Sequence, residues 1–331
     1  MLMTSKVSRR TFAALPAAAA ASLSLPAWAQ AKPAFRLNSV YSDRDIRAEA
    51  LRNWAKDIAA DFTIEPHYSS SLFKQGTEVV ALQRDNLEIA NISPFDVSRQ
   101  IPEWSMLTMA YLFRDAQHVS NFFNSPLGAR WTKLVEDKMQ IKILAPLYYG
   151  TRQVGLKSKT PVIKTPADLA SVKLRMPPGD AWQLMGRALG ANPTPMAFGE
   201  VYTGIQTGAI DGQDNPFPGV NTAKFFEVTG QFVLTSHWIA YDLLAMSLKA
   251  WNGLGAKQAM FMDTLNKRLG ESTAEHLKME ASLGENFKKA GCDINTPDVA
   301  AFRAHAQKVY LESDFAKTWP KGGIEEVAAI K

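Results

Sequence analysis

The sequence predicts an α/β protein of two domains with a largely parallel sheet. Three observations carry that expectation. Strand-like alternation and helical periodicity follow one another through the first 150 residues, the pattern of linked β-α-β units. The chain has 331 residues, and the roughly 300 beyond its leader exceed what one hydrophobic core usually serves. A single cysteine, Cys292, excludes an internal disulfide, so the fold must hold by apolar burial.

The elements follow in order. Ala34 to Val40 alternates as a strand, and Ser42 or Asp43 then caps a helix through about Ala60, with Ile46, Ala50, Leu51, Trp54 and Ile58 on one face. Phe62 to Tyr68 reads as a strand, Thr77 to Arg84 as a helix and Leu87 to Ile92 as a strand. Helices over Ala116 to Phe123 and Gly128 to Lys138 precede a strand from Ile141 to Leu147. A second set starts with a strand from Arg152 to Leu156, then a short helix at Pro166 and a strand over Val172 to Arg175. Helices over Asp180 to Leu189 and Val201 to Thr207 come next, then a strand at 208–212 and two strands, Gln231 to Thr235 and Tyr241 to Ser247. From about Ala256 to Lys289 apolar residues recur near multiples of 3.6, as one long helix or as two broken at Gly270 or Gly284. No repeat or low-complexity linker marks a domain boundary.

The first 29 residues read as a cleaved export signal. Ser8-Arg9-Arg10-Thr11-Phe12 is a basic start of the twin-arginine type, an alanine-rich apolar stretch follows, and Ala27-Trp28-Ala29 supplies the small-residue cleavage site. The competing reading, a membrane anchor, suffers from two prolines and a short span between Phe12 and Trp28. A periplasmic mature protein is expected. The formal charge of +5 includes Lys6, Arg9 and Arg10 of the leader, so the mature chain stands near +2 with mixed signs. That balance gives no reason to invoke nucleic acid.

Enzyme signatures are missing. The sequence has no Gly-x-Ser-x-Gly elbow, no His-Glu-x-x-His helix, no Walker loop and no Gly-x-Gly-x-x-Gly after a strand. Its five histidines, His67, His118, His237, His276 and His305, lack ligand spacing, and Cys292 has no neighbouring base. The reading is a binding protein without metal or cofactor.

Residues 173–237 are the most informative. Arg175 closes an alternating segment directly before Pro177 and Pro178, so a strand end there presents a rigid guanidinium fork suited to a carboxylate. Around it stand Gly150-Thr151-Arg152, Gly190 to Met196, Glu200-Val201-Tyr202, Gln206-Thr207-Gly208, Asp211 to Pro216 and Lys224 to Val228. These ordered blocks resemble the solute-binding proteins of tripartite ATP-independent periplasmic (TRAP) transporters. The close match runs from about Gly150 to His237, with weaker similarity over the rest of the mature chain.

The resemblance implies a two-lobed periplasmic binding protein fold with an interlobe cleft, hinge segments near Gly150 and Trp238, and a long helix spanning both lobes. Lobe one would hold 31–151 plus 242–280, and lobe two 152–241 plus 281–331. It implies that Arg175 receives a carboxylate, that Arg152 also reaches the ligand and that Phe198 packs against its carbon skeleton. Asn215 could contact the ligand or cap a helix ahead of Pro216. Trp182, His237 and Trp238 are expected near the cleft, with Asn38 and Glu78 from the opposite lobe. Residues 72–78 depart from the commoner Leu-Gly-x-Glu pattern, which leaves the acid's identity open. The expected partners are a small organic acid and the membrane subunits of a TRAP permease, driven by an ion gradient without nucleotide. Residues 176–182 and 211–216 resemble members that take uronates and other sugar acids; C4-dicarboxylates, keto acids and aromatic acids stay open, as does a sensor role on the same fold.

Overall fold

Two long antiparallel strands run through the centre of the molecule and join its two halves. The computed structural model describes residues 32–331, and the leader expected at 1–29 lies outside the described residues. In chain order the strands are β1 (Ala34–Asn38), β2 (Thr63–His67), β3 (Ile89–Ile92), β4 (Ile141–Leu156), β5 (Lys173–Met176), β6 (Asn192–Pro195), β7 (Gly212–Pro216), β8 (Gln231–Ser247) and β9 (Asp293–Asn295). The helices are α1 (Ile46–Asp57), α2 (Glu78–Gln83), α3 (Pro94–Val97), α4 (Ala116–Phe123), α5 (Pro126–Met139), α6 (Asp180–Ala188), α7 (Val201–Thr207), α8 (Phe217–Thr222), α9 (Leu248–Gly253), α10 (Gln258–Lys289), α11 (Val299–Leu311) and α12 (Gly323–Ala328).

The sheet runs β2-β1-β3-β8-β4-β7-β5-β6, with β9 added to β8. It is mixed: β3 with β8, β8 with β4 and β4 with β7 are antiparallel, while β2-β1-β3, the strands whose spacing predicts parallel pairing, are parallel, as are β7-β5-β6 and β8 with β9. Each parallel group has its own crossover helices, and the central strands join the two groups. The sequence splits β4 and β8 into two strands apiece, but each is continuous. Register shifts between Ile143 and Ala145, Tyr148 and Gly150, and Arg152 and Val154 interrupt the alternation, because a bulge moves the following residues to the other face. The expected hinges at Gly150 and Trp238 therefore lie inside strands.

Helix α1 starts later than expected. Its cap is Asp45, whose side chain accepts from Arg47 N–H, and the same carboxylate is gripped by the Arg47 guanidinium, an anchor that Ser42 and Asp43 lack. Helix α10 runs unbroken for 32 residues, about 48 Å at 1.5 Å per residue. Gly270 and Gly284 do not interrupt it. Its first half packs Phe261, Leu265 and Leu269 against Trp54 and Phe35; its second half packs Leu283 and Phe287 against Phe217 and Phe232. One helix thus serves two separate apolar clusters. Cys292 is buried and donates to Thr229 O at 3.2 Å, a packing role. Among the described residues no helix is long and apolar enough to cross a membrane.

Candidate functional site

A cavity of about 620 Å³ opens between the two parallel groups of strands. Arg175, Arg152, Asn215, Phe198, Trp182 and Glu78, all expected from sequence, line it. Asn38 and His237 do not. Asn38 is fully buried beneath the cavity, where its amide donates to Phe73 O at 3.2 Å and accepts from Phe73 N at 3.1 Å. His237 lies behind the wall, its Nε2 3.0 Å from Asp214 Oδ2 and its Nδ1 2.8 Å from Thr235 Oγ1. Burial keeps its pKa below the ordinary histidine value. Trp238 is a core residue packed on Tyr241 and Phe95.

Arg175 sits on β5 between β6 and β7, paired with Thr194 and Gln213. It is 1 % exposed. Its Nε donates to Met196 O at 2.8 Å, and Nη2 lies 3.5 Å from Gln75 Oε1. Among the described residues it has no carboxylate partner, and burial together with the Arg152 charge pushes its pKa down to about 9. A buried cation that no carboxylate pairs is costly. An incoming anion relieves that cost.

Arg152, on β4, is already matched. Its Nε and Nη2 close on Asp214 at 2.6 and 3.0 Å, and Nη1 donates to the Tyr149 hydroxyl at 3.2 Å. Burial opposes ionisation of Asp214, yet Arg152 and His237 hold its carboxyl well below the usual range. The guanidinium lies 5.0 Å over the Trp182 ring, and Trp182 stacks on Phe95 of α3 at 3.6 Å. Arg152 thus braces the cleft and leaves Arg175 as the cation with charge to spare.

Asn215 belongs to β7, and its amide donates to Gln213 Oε1 at 2.6 Å. Helix α8 begins at Phe217 with Pro216 as its cap residue and no side-chain cap bond, so the capping alternative does not hold. Phe198 stands 5.3 Å from Phe225, with the Arg175 guanidinium carbon 5.8 Å from its centroid. This places an apolar face beside the charged fork.

The opposite wall is rich in carboxyls, of which the sequence singled out only Glu78. Arg47 lies between the rings of Tyr41 and Tyr149 at 4.0 and 4.3 Å and is ion-paired to Asp45 and Asp242 at 2.9 and 2.8 Å. Burial pushes Asp242 and Asp96 up to about 6. Glu78 accepts from Gly76 N at 2.7 Å through Oε2, while buried Oε1 and the Tyr41 hydroxyl have no protein partner among the described residues. Burial, with Asp96 nearby, raises Glu78 to about 8. Gln75, Tyr41 and Arg47 also line the cavity. Tyr41 precedes α1, Arg47 lies in its first turn and Gln75 stands in the loop between β2 and α2; no local motif joins them, and besides Asn38 and Glu78 only the departure of residues 72–78 from the common pattern pointed toward this wall.

The family model for bacterial extracellular solute-binding protein, family 7, matches residues 37–317. The chain belongs to this family. Among solved structures, a TRAP periplasmic solute-binding protein of Roseobacter denitrificans is similar to this family 7 protein at 40% identity and a TM-score of 0.88, covering 91% of this chain and 100% of that one. That structure holds 3-deoxy-D-manno-oct-2-ulosonic acid. The sialic acid-binding periplasmic protein of Vibrio cholerae is 31% identical over 65% of this chain and 66% of its own length. The 2,3-diketo-L-gulonate-binding periplasmic protein of Escherichia coli is 33% identical over 67% of each. The family is that of TRAP periplasmic binding proteins, and its two-lobed α/β fold is the fold of this chain.

Proposed function

We propose that this family 7 protein captures the carboxylate of a hydroxylated sugar acid between its lobes and delivers it to the membrane subunits of a TRAP permease. Arg175 carries the reading: a buried guanidinium without an acid partner among the described residues, on a strand end, beside the neutralised Arg152–Asp214 pair. A bidentate carboxylate contact there would be charge-assisted, worth about 1.5–3 kcal/mol. Phe198 offers a face for the carbon skeleton, and Asn215 a group for a neighbouring oxygen. The far wall, with Asp45, Glu78, Asp96 and Asp242, suits hydroxyl donors and disfavours a second carboxylate. A sugar acid therefore fits better than a C4-dicarboxylate. The likeness to the Roseobacter protein supports the same class.

Lobe one comprises 31–151 plus 242–280 and lobe two 152–241 plus 281–331 in this proposal. The clusters at the two ends of α10 fall one in each lobe, while a third cluster joins the lobes behind the cleft. Residues 1–29 export the chain by a twin-arginine signal, and the protein binds its acid without transforming it. Closure is driven by contacts that the acid makes with both lobes and loses when they part.

The test is a thermal-shift and calorimetric screen of 3-deoxy-D-manno-oct-2-ulosonate, D-glucuronate, D-galactonate and succinate. One or more sugar acids should raise Tm at concentrations where succinate does not, with no chemical change on prolonged incubation. A response to succinate alone would refute the assignment.

A further inference from the structure

The loop between β2 and α2 reaches across the cleft and ends on the carboxylate receptor. Gln75 Oε1 accepts from Phe198 N at 3.0 Å and lies 3.5 Å from Arg175 Nη2. Its Nε2 has no hydrogen-bond partner among the described residues, and the side chain lines the cavity. The loop is held in place from below. Ser69, Ser70 and Gly76 take positive φ values of 57°, 56° and 86°, a bent path that surrounding bonds must impose. Asn38 ties Phe73 to the end of β1 by two hydrogen bonds, and Glu78 ties Gly76 to the start of α2. Nearby, Arg99 Nη2 donates to Pro178 O at 2.8 Å, so the two walls also meet beside Gln75.

We propose that Gln75 is a positioning residue of the receptor, whose amide oxygen latches the loop onto Phe198 and Arg175 while its free NH2 group donates to the bound acid. This rests on the function proposed above. The amide is chemically suited to the task. An acceptor without charge orients Arg175 and leaves its positive charge for the ligand, whereas a carboxylate at this point would neutralise the fork from within. Asn38 gains a role too: it sets the height of the loop from which Gln75 reaches.

Two measurements on the full mature protein decide the matter. The first needs no ligand. Amide exchange at Phe198, followed by NMR, should be at least about 5-fold faster in Gln75→Ala than in wild type, since its acceptor is gone. The second uses 3-deoxy-D-manno-oct-2-ulosonate as probe. Gln75→Ala should weaken binding about 3- to 10-fold, the scale of one hydrogen bond, mostly through faster release. Gln75→Glu should weaken it more than about 100-fold at pH 7. A control variant, Gln83→Ala, removes a surface pairing with Gln100 away from the cavity and should change neither readout. Unchanged Phe198 exchange in Gln75→Ala overturns the latch, whether or not the probe binds. Equal or tighter binding by Gln75→Ala also overturns it, because the side chain would then only be a placeholder. Failure of every sugar acid to bind wild type would instead remove the proposed function, leaving the exchange measurement to decide the latch.

Discussion

Arg152 and Asp214 form a fully buried, two-point ion pair, Nε to Oδ2 at 2.6 Å and Nη2 to Oδ1 at 3.0 Å, at the back of the cleft. Removing one partner of such a pair leaves the other charge stranded, at a cost of about 3–5 kcal/mol. Asp214→Asn should therefore lower unfolding free energy by about that amount in urea titration, with His237 losing its partner as well. A change below about 1 kcal/mol would mean that the pair is not the brace described.

Arg175 should behave in the opposite way. Arg175→Met keeps much of the side-chain volume and removes a buried cation that no acid among the described residues pairs with. The apo protein should stay as stable as wild type or gain stability, while the Tm shift produced by the best sugar acid disappears. Arg175→Lys should retain a weakened shift, since an ammonium lacks the planar fork. An intact shift in Arg175→Met would sink the receptor assignment.

Elements with unbroken helical periodicity were legible from sequence: α4 and α7 have the expected limits, Ala116–Phe123 and Val201–Thr207. The central strands were not, because Gly150 at φ +119° and Ser236 at φ +46° interrupt the apolar alternation where the chain bends without leaving the sheet. Strand β7 shows a second cause. Its residues, Gly212-Gln213-Asp214-Asn215-Pro216, are all buried though mostly polar, so a reading based on apolar pattern stopped at its first residue. Strand β6 holds two prolines at the sheet edge and gives no strand signal. The wall containing Arg152, Arg175, Phe198 and Asn215 was readable since it rests on contiguous motifs. The wall containing Tyr41, Arg47 and Gln75 is assembled from the start of α1, the turn before it and the loop before α2, and spacing cannot reveal it.

Glu78 makes stability depend on pH. Its pKa is raised from 4.5 to about 8 by burial, so the folded protein holds a proton there that the unfolded chain releases above about pH 4.5. Native stability then falls as pH rises through the window from 4.5 to 8 and is level above it. Glu78→Gln removes this dependence. Relative to that variant, wild type should lose of order 3 kcal/mol between pH 5 and pH 8 in denaturant titrations. Parallel pH profiles would show that Glu78 ionises normally.

The bend at Gly150 is held from both sides. On either side of it Tyr148 donates its hydroxyl to Glu280 Oε2 at 2.8 Å and Thr151 its backbone N–H to Glu280 Oε1 at 2.6 Å, so the long helix α10 grips β4 where the sheet passes from one half to the other. A Cβ at Gly150 would lie 2.6 Å from Pro216 Cβ, on a backbone at φ +119°. Neither Pro216 in β7 nor the clamped β4 can easily yield. Gly150→Ala should destabilise the protein by about 2–4 kcal/mol through strain and overpacking together. Gly270→Ala, in the same helix as Glu280 but with open space around the added carbon, should stabilise by about 0.5–1 kcal/mol. Similar unfolding midpoints for the two variants would show that the bend is not constrained.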